Sequence, residues 1–387
     1  EGEAVSLDWS WRWQGLMPEL VPGRVSAGRL TVTVPAWPDT GEQKETPTAF
    51  PRHLPSWLPD TVRIEQLVLT LPDGIRATGD LTVSGLSSPA ARKIASSGLT
   101  LEAPVPAMTR SGWRLGDGQV RLVVAGNADE QSATLNVGDG SRVEFARVEA
   151  PDNAAHADDL QIDLSGTTLT AGYSLQSMAL QGLAFKGPLV VTVADVHQQQ
   201  LYPQSWRLDG RTDSSLEGLS FDGRLVSDAG TEASVGVRVP FDGIPELDAN
   251  MTAVGAKGAR RLAKTFTAWP EALEIGEGSL KAALWLRFPP EGVQLQGDVR
   301  SVGLGGLFGR TAWTHLDGAA SISLVGERLD IRTSGVTLDA LNPGIALSTI
   351  RVAGRYRTTM ERIAAGTVTL ESASAQLLGG SLRIEPA

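Results

Sequence analysis

The sequence predicts an all-β protein with one or two short helices, built as a long, highly twisted antiparallel sheet. Apolar and polar residues alternate from end to end, as in GRLTVTVP, QVRLVVAG and LVVTVADV, and this period of two is typical of strands with one apolar face. The 43 Gly residues punctuate these runs where short turns between antiparallel neighbours are expected. Open sheets of about 20 strands must curl, so we expect the sheet to form an elongated open hydrophobic groove.

The stretch TVRIEQLVLTLPDGIRATGDLTVSG (61–85) predicts a hairpin closed by a Pro-Asp-Gly turn. Before the turn Leu67, Leu69 and Leu71 alternate with Val68 and Thr70, and after it Leu81 and Val83 alternate with Thr82 and Ser84. Val62 and Ile64 have the opposite parity from these leucines. A bulge near Glu65–Gln66 would bring both sets to one face and add curvature to the strand.

Helical patterns are scarce. The best window is 256–269, where Leu262, Phe266 and Trp269 recur at helical spacing before Pro270; we expect this helix to pack on the sheet or cap it. A weaker helical pattern covers 89–97, and residues 35–60 predict a long proline-rich loop. No composition break demands a domain boundary, so 1–387 is interpreted as a single elongated β-groove fragment of a larger protein.

The composition excludes several classes of function. A formal net charge of −10 argues against general nucleic-acid binding, which requires a basic face. The absence of cysteine excludes disulfides, zinc–thiolate sites and thiol nucleophiles. No apolar run reaches the roughly 18 residues needed to span a bilayer. A stacked sandwich and an outer-membrane barrel also fit the alternation, although the helices and the proline-rich stretch fit a regular barrel poorly.

No motif assembles a nucleophile, a base and an orienting group, so we expect neither an enzyme nor a cofactor. The four histidines lie far apart in the sequence, which argues against a metal site built from them. The triplet Asp39-Thr40-Gly41 matches the aspartic-protease signature, but it lies in the proline-rich loop rather than after an apolar strand. GLGGLFG (303–309) has neither dinucleotide nor P-loop spacing, and it suggests a bend in the sheet.

Five segments stand out along the chain: LPDTVRIEQLVLTLPDGIRATGDLTVSG, YPQSWRLDG (202–210), TFTAWPEALEIGEGSL (265–280), LNPGIALSTIRVAGRYR (341–357) and QLLGG (376–380). Together they resemble the YdbH family of AsmA-like, bridge-like lipid transport proteins. The resemblance implies a periplasmic β-rich body, an N-terminal inner-membrane anchor and phospholipid movement between the inner and outer membranes of a Gram-negative bacterium. It also implies that an outer-membrane lipoprotein of the YnbE type adds strands to the body. This chain is expected to lack the anchor, and also the C-terminal docking edge.

A trough that shields acyl chains needs an apolar lining rather than a catalytic group, because each methylene exposed to water costs about 0.8 kcal/mol. The strand residues predicted to line it are Leu69, Leu81, Val83, Leu122, Val124, Val191, Val193, Val235, Val237, Leu284 and Leu286. Two alternatives remain open at this point. The apolar face could be buried inside a structural or adhesive sandwich or solenoid, or Trp9, Trp11 and Trp13 could bind carbohydrate.

Overall fold

A computed structural model describes residues 2–14, 17–34, 59–86, 93–110, 112–129, 131–151, 155–174, 179–289, 292–359, 362 and 365–384. The fold is all-β, as predicted, with one α helix and one 3-10 turn, Pro72–Gly74, among the described residues. None of the helices described has the length and apolar composition that crossing a membrane requires.

The first twelve strands are β1 Gly2–Gln14, β2 Met17–Thr33, β3 Thr61–Thr70, β4 Arg76–Ser84, β5 Lys93–Val105, β6 Met108–Arg110, β7 Trp113–Leu115, β8 Gly118–Ala128, β9 Ser132–Val137, β10 Arg142–Glu149, β11 Ala155–Asp163 and β12 Thr168–Ser174. The remaining elements are β13 Ala179–Gln198, β14 Leu201–Ser214, β15 Gly218–Ser227, β16 Glu232–Pro240, β17 Glu246–Val254, α1 Gly255–Thr265, β18 Leu273–Arg287, β19 Gln294–Phe308, β20 Thr311–Val325, β21 Arg328–Asn342, β22 Leu347–Thr359, β23 Thr367–Leu377 and β24 Gly380–Ile384.

The chain divides into two compact units, each described by itself below. Unit 1 comprises Glu1–Asp152, Asp158–Val191 and Arg211–Leu216, and unit 2 comprises Asn153–Ala157, Thr192–Gly210 and Glu217–Ala387. The single elongated body expected over 1–387 stays a prediction.

Unit 1 contains a mixed ladder rather than the wholly antiparallel sheet predicted. Strand β2 pairs with β1 antiparallel and with β3 parallel. The long connection from Thr33 to Thr61 allows the chain to return to the same end of the sheet, which a parallel pair requires. From β3 the antiparallel order continues through β4, β5, β8, β9 and β12.

Unit 2 contains a ten-strand meander. Strands β15 to β24 each pair antiparallel with the next strand in the chain. Short turns of the kind predicted from the Gly, Asp and Asn spacing join most of these neighbours, and such turns connect antiparallel strands. The exception is the link from β17 to β18, which contains α1.

Helix α1 follows β17 directly and packs against β17 and β18. It ends at Thr265, four residues before the predicted end at Trp269. The backbone of Phe266 is extended, and its N–H donates to the carbonyl of Leu262 at 2.9 Å. Phe266 then forms an isolated bridge with Leu201, so a tertiary backbone pairing ends the helix before the apolar periodicity does.

The other two segments singled out in the sequence have different outcomes. Residues 35–58 of the predicted proline-rich loop lie outside the described residues. The weaker helix prediction at 89–97 is wrong from Lys93 onward, because Lys93 begins β5 and pairs with Ser84 on β4. This pairing with a neighbouring strand overrides a short helical pattern of low intrinsic stability.

Candidate functional site

The register of unit 2 places apolar side chains on one face of its meander. Residues directly opposite on paired strands share a face, as do residues two apart on one strand. One row runs Phe221, Val237, Leu247, Leu286, Leu295, Leu324, Leu329 and Thr358. The next row runs Gly223, Val235, Ala249, Leu284, Gly297, Ile322, Ile331, Tyr356 and Val368.

Two further rows continue this surface toward the other end of the strands. They include Leu225, Ala233, Met251, Ala282 and Val299, and then Ala253 and Leu280. We call the four rows together the unit 2 apolar face. Each row crosses from strand to strand without a charged residue at the positions named.

Most side chains of the unit 2 apolar face are half-buried rather than enclosed. Phe221 and Val235 are buried at 4% and 8% exposure, but Val368 is 65% exposed, and Leu284, Leu286 and Ile322 are intermediate. A packed interior would bury nearly all of such a set against a second apolar layer. Within the described part of unit 2, the face therefore remains accessible along much of its length.

The opposite face of the same strands is polar. Its cross-strand ion pairs join Arg238 to Asp248 at 3.1 Å, Arg287 to Glu246 at 2.9 Å, and Arg355 to Asp330. Hydrogen bonds from Arg355, reinforced by the charges of Arg355 and Arg357, hold the pKa of the Asp330 carboxyl below its usual range. The two faces of the meander therefore differ in polarity, and the ion-paired face is the one suited to contact with water.

Bulges keep the apolar residues of unit 2 on one side. The register between β19 and β20 shifts between Ser301 and Leu304, where Gly303 has a φ of +57°. Asp317 on β20 accepts a hydrogen bond from the Gly303 N–H at 2.8 Å, which satisfies a donor that the bulge removes from the ladder. The bend that GLGGLFG suggested is thus a hydrogen-bonded bulge.

Unit 1 has an equivalent apolar face. Its rows run Val25, Val62, Val83, Ile94 and Ala128, then Leu30, Leu67, Gly79, Leu99, Val124 and Val137, then Val32, Leu69, Ala77, Leu101 and Leu122. We call these rows the unit 1 apolar face. The predicted bulge is confirmed: the β3–β4 register shifts between Ile64 and Leu67, so both residues share the face of Leu81 and Gly79.

A second bulge lies on β5, beside the one on β3. The β5 register shifts between Ser96 and Leu99, and Asp80 on β4 occupies the gap. Its carboxylate accepts hydrogen bonds from the N–H of Ser97 at 3.0 Å and of Gly98 at 2.8 Å. The pKa of Asp80 is lowered, chiefly by the Ser97 N–H bond. A charged side chain thus supports the bulge while the apolar residues stay on the opposite face.

Nine of the eleven predicted lining residues have described ladder partners, and all nine lie on one of these two faces. In unit 2, Val235 shares a row with Leu284, and Val237 shares a row with Leu286. In unit 1, Leu69 shares a row with Leu122, and Leu81, Val83 and Val124 belong to the same face. Val191 and Val193 are half-buried residues of β13, in unit 1 and unit 2 respectively.

The register also adds residues that the sequence reasoning missed. The main additions are Leu247, Leu295, Ile322, Leu324, Leu329 and Ile331. The alternation in AASISLVG and LDIRTSG carried the signal for the last four. Only the strand register shows that β20 and β21 place these apolar residues on the same face as Leu284.

Two of the four histidines are close together in the structure although they are far apart in the sequence. His156 on β11 and His197 on β13 lie together in unit 2, with stacked rings whose centroids are 4.3 Å apart. Asp195 lies 3.2 Å from His197 Nε2. A sequence separation of 41 positions says nothing about distance across a β ladder. The triplet Asp39-Thr40-Gly41 lies outside the described residues.

Comparison with protein families gives one informative match. The family model described as "YdbH-like: Intermembrane phospholipid transport protein YdbH" matches residues 107–387, which include the whole unit 2 meander. Comparison with the curated proteins and with the solved structures gave no match. The family match covers well over half of the chain, and the chain therefore belongs to the YdbH-like family of intermembrane phospholipid transport proteins.

Proposed function

We propose that this chain is part of a periplasmic bridge whose apolar faces shield phospholipid acyl chains as they move between the inner and outer membranes. The observation that carries the proposal is the unit 2 apolar face, in which apolar rows continue across eight strands without being enclosed. The eleven lining residues predicted from the sequence belong to this proposal, and it needs no catalytic group.

The energetics favour a continuous surface over a single pocket. Each acyl methylene transferred to water costs about 0.8 kcal/mol, so two long tails cost tens of kcal/mol. Apolar rows repeated at the strand spacing of about 4.8 Å offer similar contacts at every step. A lipid can then move without crossing a large barrier, while the ion-paired face remains in water.

A matched pair of variants on β18 tests the proposal. Leu284 lies on the unit 2 apolar face, whereas its neighbour Ala283 lies on the polar face between Asn250 and Asp298. We expect Leu284→Arg to weaken binding of a phospholipid with a fluorescent acyl chain by about tenfold, because a charge on the face must be desolvated. We expect Ala283→Arg to bind it like the unmodified chain.

The alternatives predict different results. A structural or adhesive protein would take up no lipid in this titration, with or without either substitution. A carbohydrate-binding module would use Trp9, which is 57% exposed on β1; a glycan array would detect it. If Leu284→Arg and Ala283→Arg bind lipid equally well, the apolar face is not the lipid-binding surface.

Binding to a partner lipoprotein and anchoring in the inner membrane are also proposed. Strand β24 pairs with β23, and no other ladder to it is described in residues 2–384; its Leu382 and Ile384 are 51% and 46% exposed. An exposed strand edge can accept a further strand, which supports strand addition as a mode of partner binding. The identity of the partner, a lipoprotein of the YnbE type, rests on the family resemblance alone. Anchoring in the inner membrane rests on the family resemblance alone.

A further inference from the structure

Helix α1 lies against one end of the unit 2 apolar face. A Cβ atom added to Gly258 would lie 3.0 Å from Ala253 Cβ, so the helix approaches this residue of the face closely. The buried side chain of Leu262 lines a cavity of about 200 Å³ together with Met251 of the same face. A hydrogen bond of 2.7 Å between Thr265 and Thr231 fixes the end of the helix.

The exposed side of α1 is basic, and Lys257 also lines the cavity that Leu262 and Met251 share. Lys257, Arg260 and Lys264 are exposed and are spaced three and four residues apart, which places them on one side of the helix. We call these three residues the α1 basic cluster. The helix contains no acidic residue. Of its four cationic residues, Arg261 pairs with Glu232 at 3.8 Å.

In contrast to many cations of the described strands, the α1 basic cluster is not neutralised by a neighbouring carboxylate. Within the described part of the chain, its three side chains have no carboxylate at ion-pair distance, although Lys257 contributes a longer-range attraction to Glu232. On the polar face of the meander, by contrast, Arg238, Arg287 and Arg355 each have an acidic partner. The cluster is therefore a local positive surface on a chain of net charge −10.

An apolar surface beside an unneutralised basic cluster is complementary to an amphiphile with an anionic head. Ammonium and guanidinium groups donate charge-assisted hydrogen bonds to phosphate oxygens, and basic residues attract anionic lipids. We infer that the α1 basic cluster binds the headgroup of an anionic phospholipid whose acyl chains lie on the unit 2 apolar face. This inference rests on the proposed function and adds headgroup selection to it.

The test compares two triple variants with equal changes in charge. The first is Lys257→Gln/Arg260→Gln/Lys264→Gln on α1. The control, Lys281→Gln/Arg300→Gln/Arg351→Gln, removes three exposed cations from the polar face of the meander. Binding of acyl-labelled phosphatidylglycerol and of acyl-labelled phosphatidylethanolamine is titrated for each protein. Circular dichroism of each protein checks that the fold is retained, and glutamine keeps a good helix propensity.

We expect the α1 variant to bind phosphatidylglycerol about tenfold more weakly, because anionic headgroups lose several charge contacts. Its phosphatidylethanolamine binding should fall less, because the ammonium group of that headgroup already compensates the phosphate charge. Both affinities of the control should change less than twofold. Equal loss of phosphatidylglycerol binding in the two triple variants would overturn the inference, as would an absence of headgroup preference in the unmodified chain. If the unmodified chain binds neither lipid, the proposed function itself fails.

Discussion

The carboxylate of Asp80 on β4 accepts hydrogen bonds from both the N–H and the hydroxyl of Ser97 on β5, at 3.0 and 2.9 Å. Ser97 lies within the bulge of β5, where the ladder leaves backbone donors without a partner strand. Asp80 supplies the missing acceptor. The relationship matters because this bulge keeps Ile94 and Leu99 on the same apolar face.

Substitution of Asp80 should loosen this bulge. Asp80→Ala removes the acceptor for Ser97 and Gly98, and hydrogen bonds to a charged group contribute about 1 to 2 kcal/mol at a partly exposed site. We expect the amides of Ser97 and Gly98 to exchange hydrogen at least several times faster in native-state exchange. Glu102→Gln on the same strand removes only the exposed pair with Arg121 and should leave both amides protected. Unchanged exchange in Asp80→Ala would show that the bulge does not need this acceptor.

Acid should destabilise the polar face through Asp330. Hydrogen bonds from Arg355 lower the pKa of Asp330 in the folded chain, so its stabilising contribution is present above the unfolded pKa of about 3.9. That contribution is lost as the pH falls through the lower, folded pKa. We expect the thermal midpoint to fall as the pH is lowered from 6 to 3.

The matched variants for this pH dependence are Asp330→Asn and Asp298→Asn. The first should lower the midpoint at pH 6 and reduce its further fall on acidification, since the paired carboxylate is already absent. The second removes a carboxylate of the same face that has no ion pair in the described residues, and it should keep the full pH dependence. Parallel curves for the unmodified chain and Asp330→Asn would contradict the assignment.

Close packing of the backbone makes Gly306 a sensitive position. A Cβ atom at Gly306 would lie 1.9 Å from the carbonyl oxygen of Glu274, whereas one at Gly335 would meet open space. We expect Gly306→Ala to destabilise unit 2 by about 1 to 3 kcal/mol through overpacking and Gly335→Ala to have little effect. Calorimetry should therefore give a lower thermal midpoint for Gly306→Ala only. Equal midpoints would mean that β18 and β19 can move apart to accommodate the added methyl group without loss of stability.

Local patterns in the sequence predicted the strands, the fold class and even the bulge at Glu65–Gln66, because parity and turn chemistry act over a few residues. The parallel pairing of β2 with β3 could not be predicted in this way, since it depends on a long connection. The end of α1 was missed because Leu201, far away in the sequence, provides a backbone partner for Phe266.

Alternation in the sequence predicted which residues of each strand lie on the apolar side, but not how these residues combine into one surface. Leu284 and Leu286 alternate with Ala283 and Trp285 in the sequence, yet only the register joins them to Val235 and Val237 two strands away. The approach of His156 to His197 had no local signal at all. Contacts across a ladder connect residues whose separation in the sequence is set by strand and turn lengths.

Apolar-face residues that were identified only from the strand register should contribute to lipid binding as those predicted from the sequence do. Ile322 shares a row with Leu284, and its neighbour Ser323 points to the polar face opposite Asp330. We expect Ile322→Arg to weaken binding of the acyl-labelled phospholipid by about tenfold, for the same desolvation reason as at Leu284. Ser323→Arg should bind normally. Equal binding by these two variants would show that the apolar face at β20 does not contact the lipid.

The most direct test of lipid contact is photo-crosslinking along β18. A photoreactive amino acid is placed in turn at residues 283, 284, 285 and 286, and each protein is irradiated with radiolabelled phospholipid. The apolar-face account predicts lipid adducts at the positions of Leu284 and Leu286 and none at those of Ala283 and Trp285, whose side chains face the polar side. Adducts of equal yield at all four positions, or at none, would contradict it.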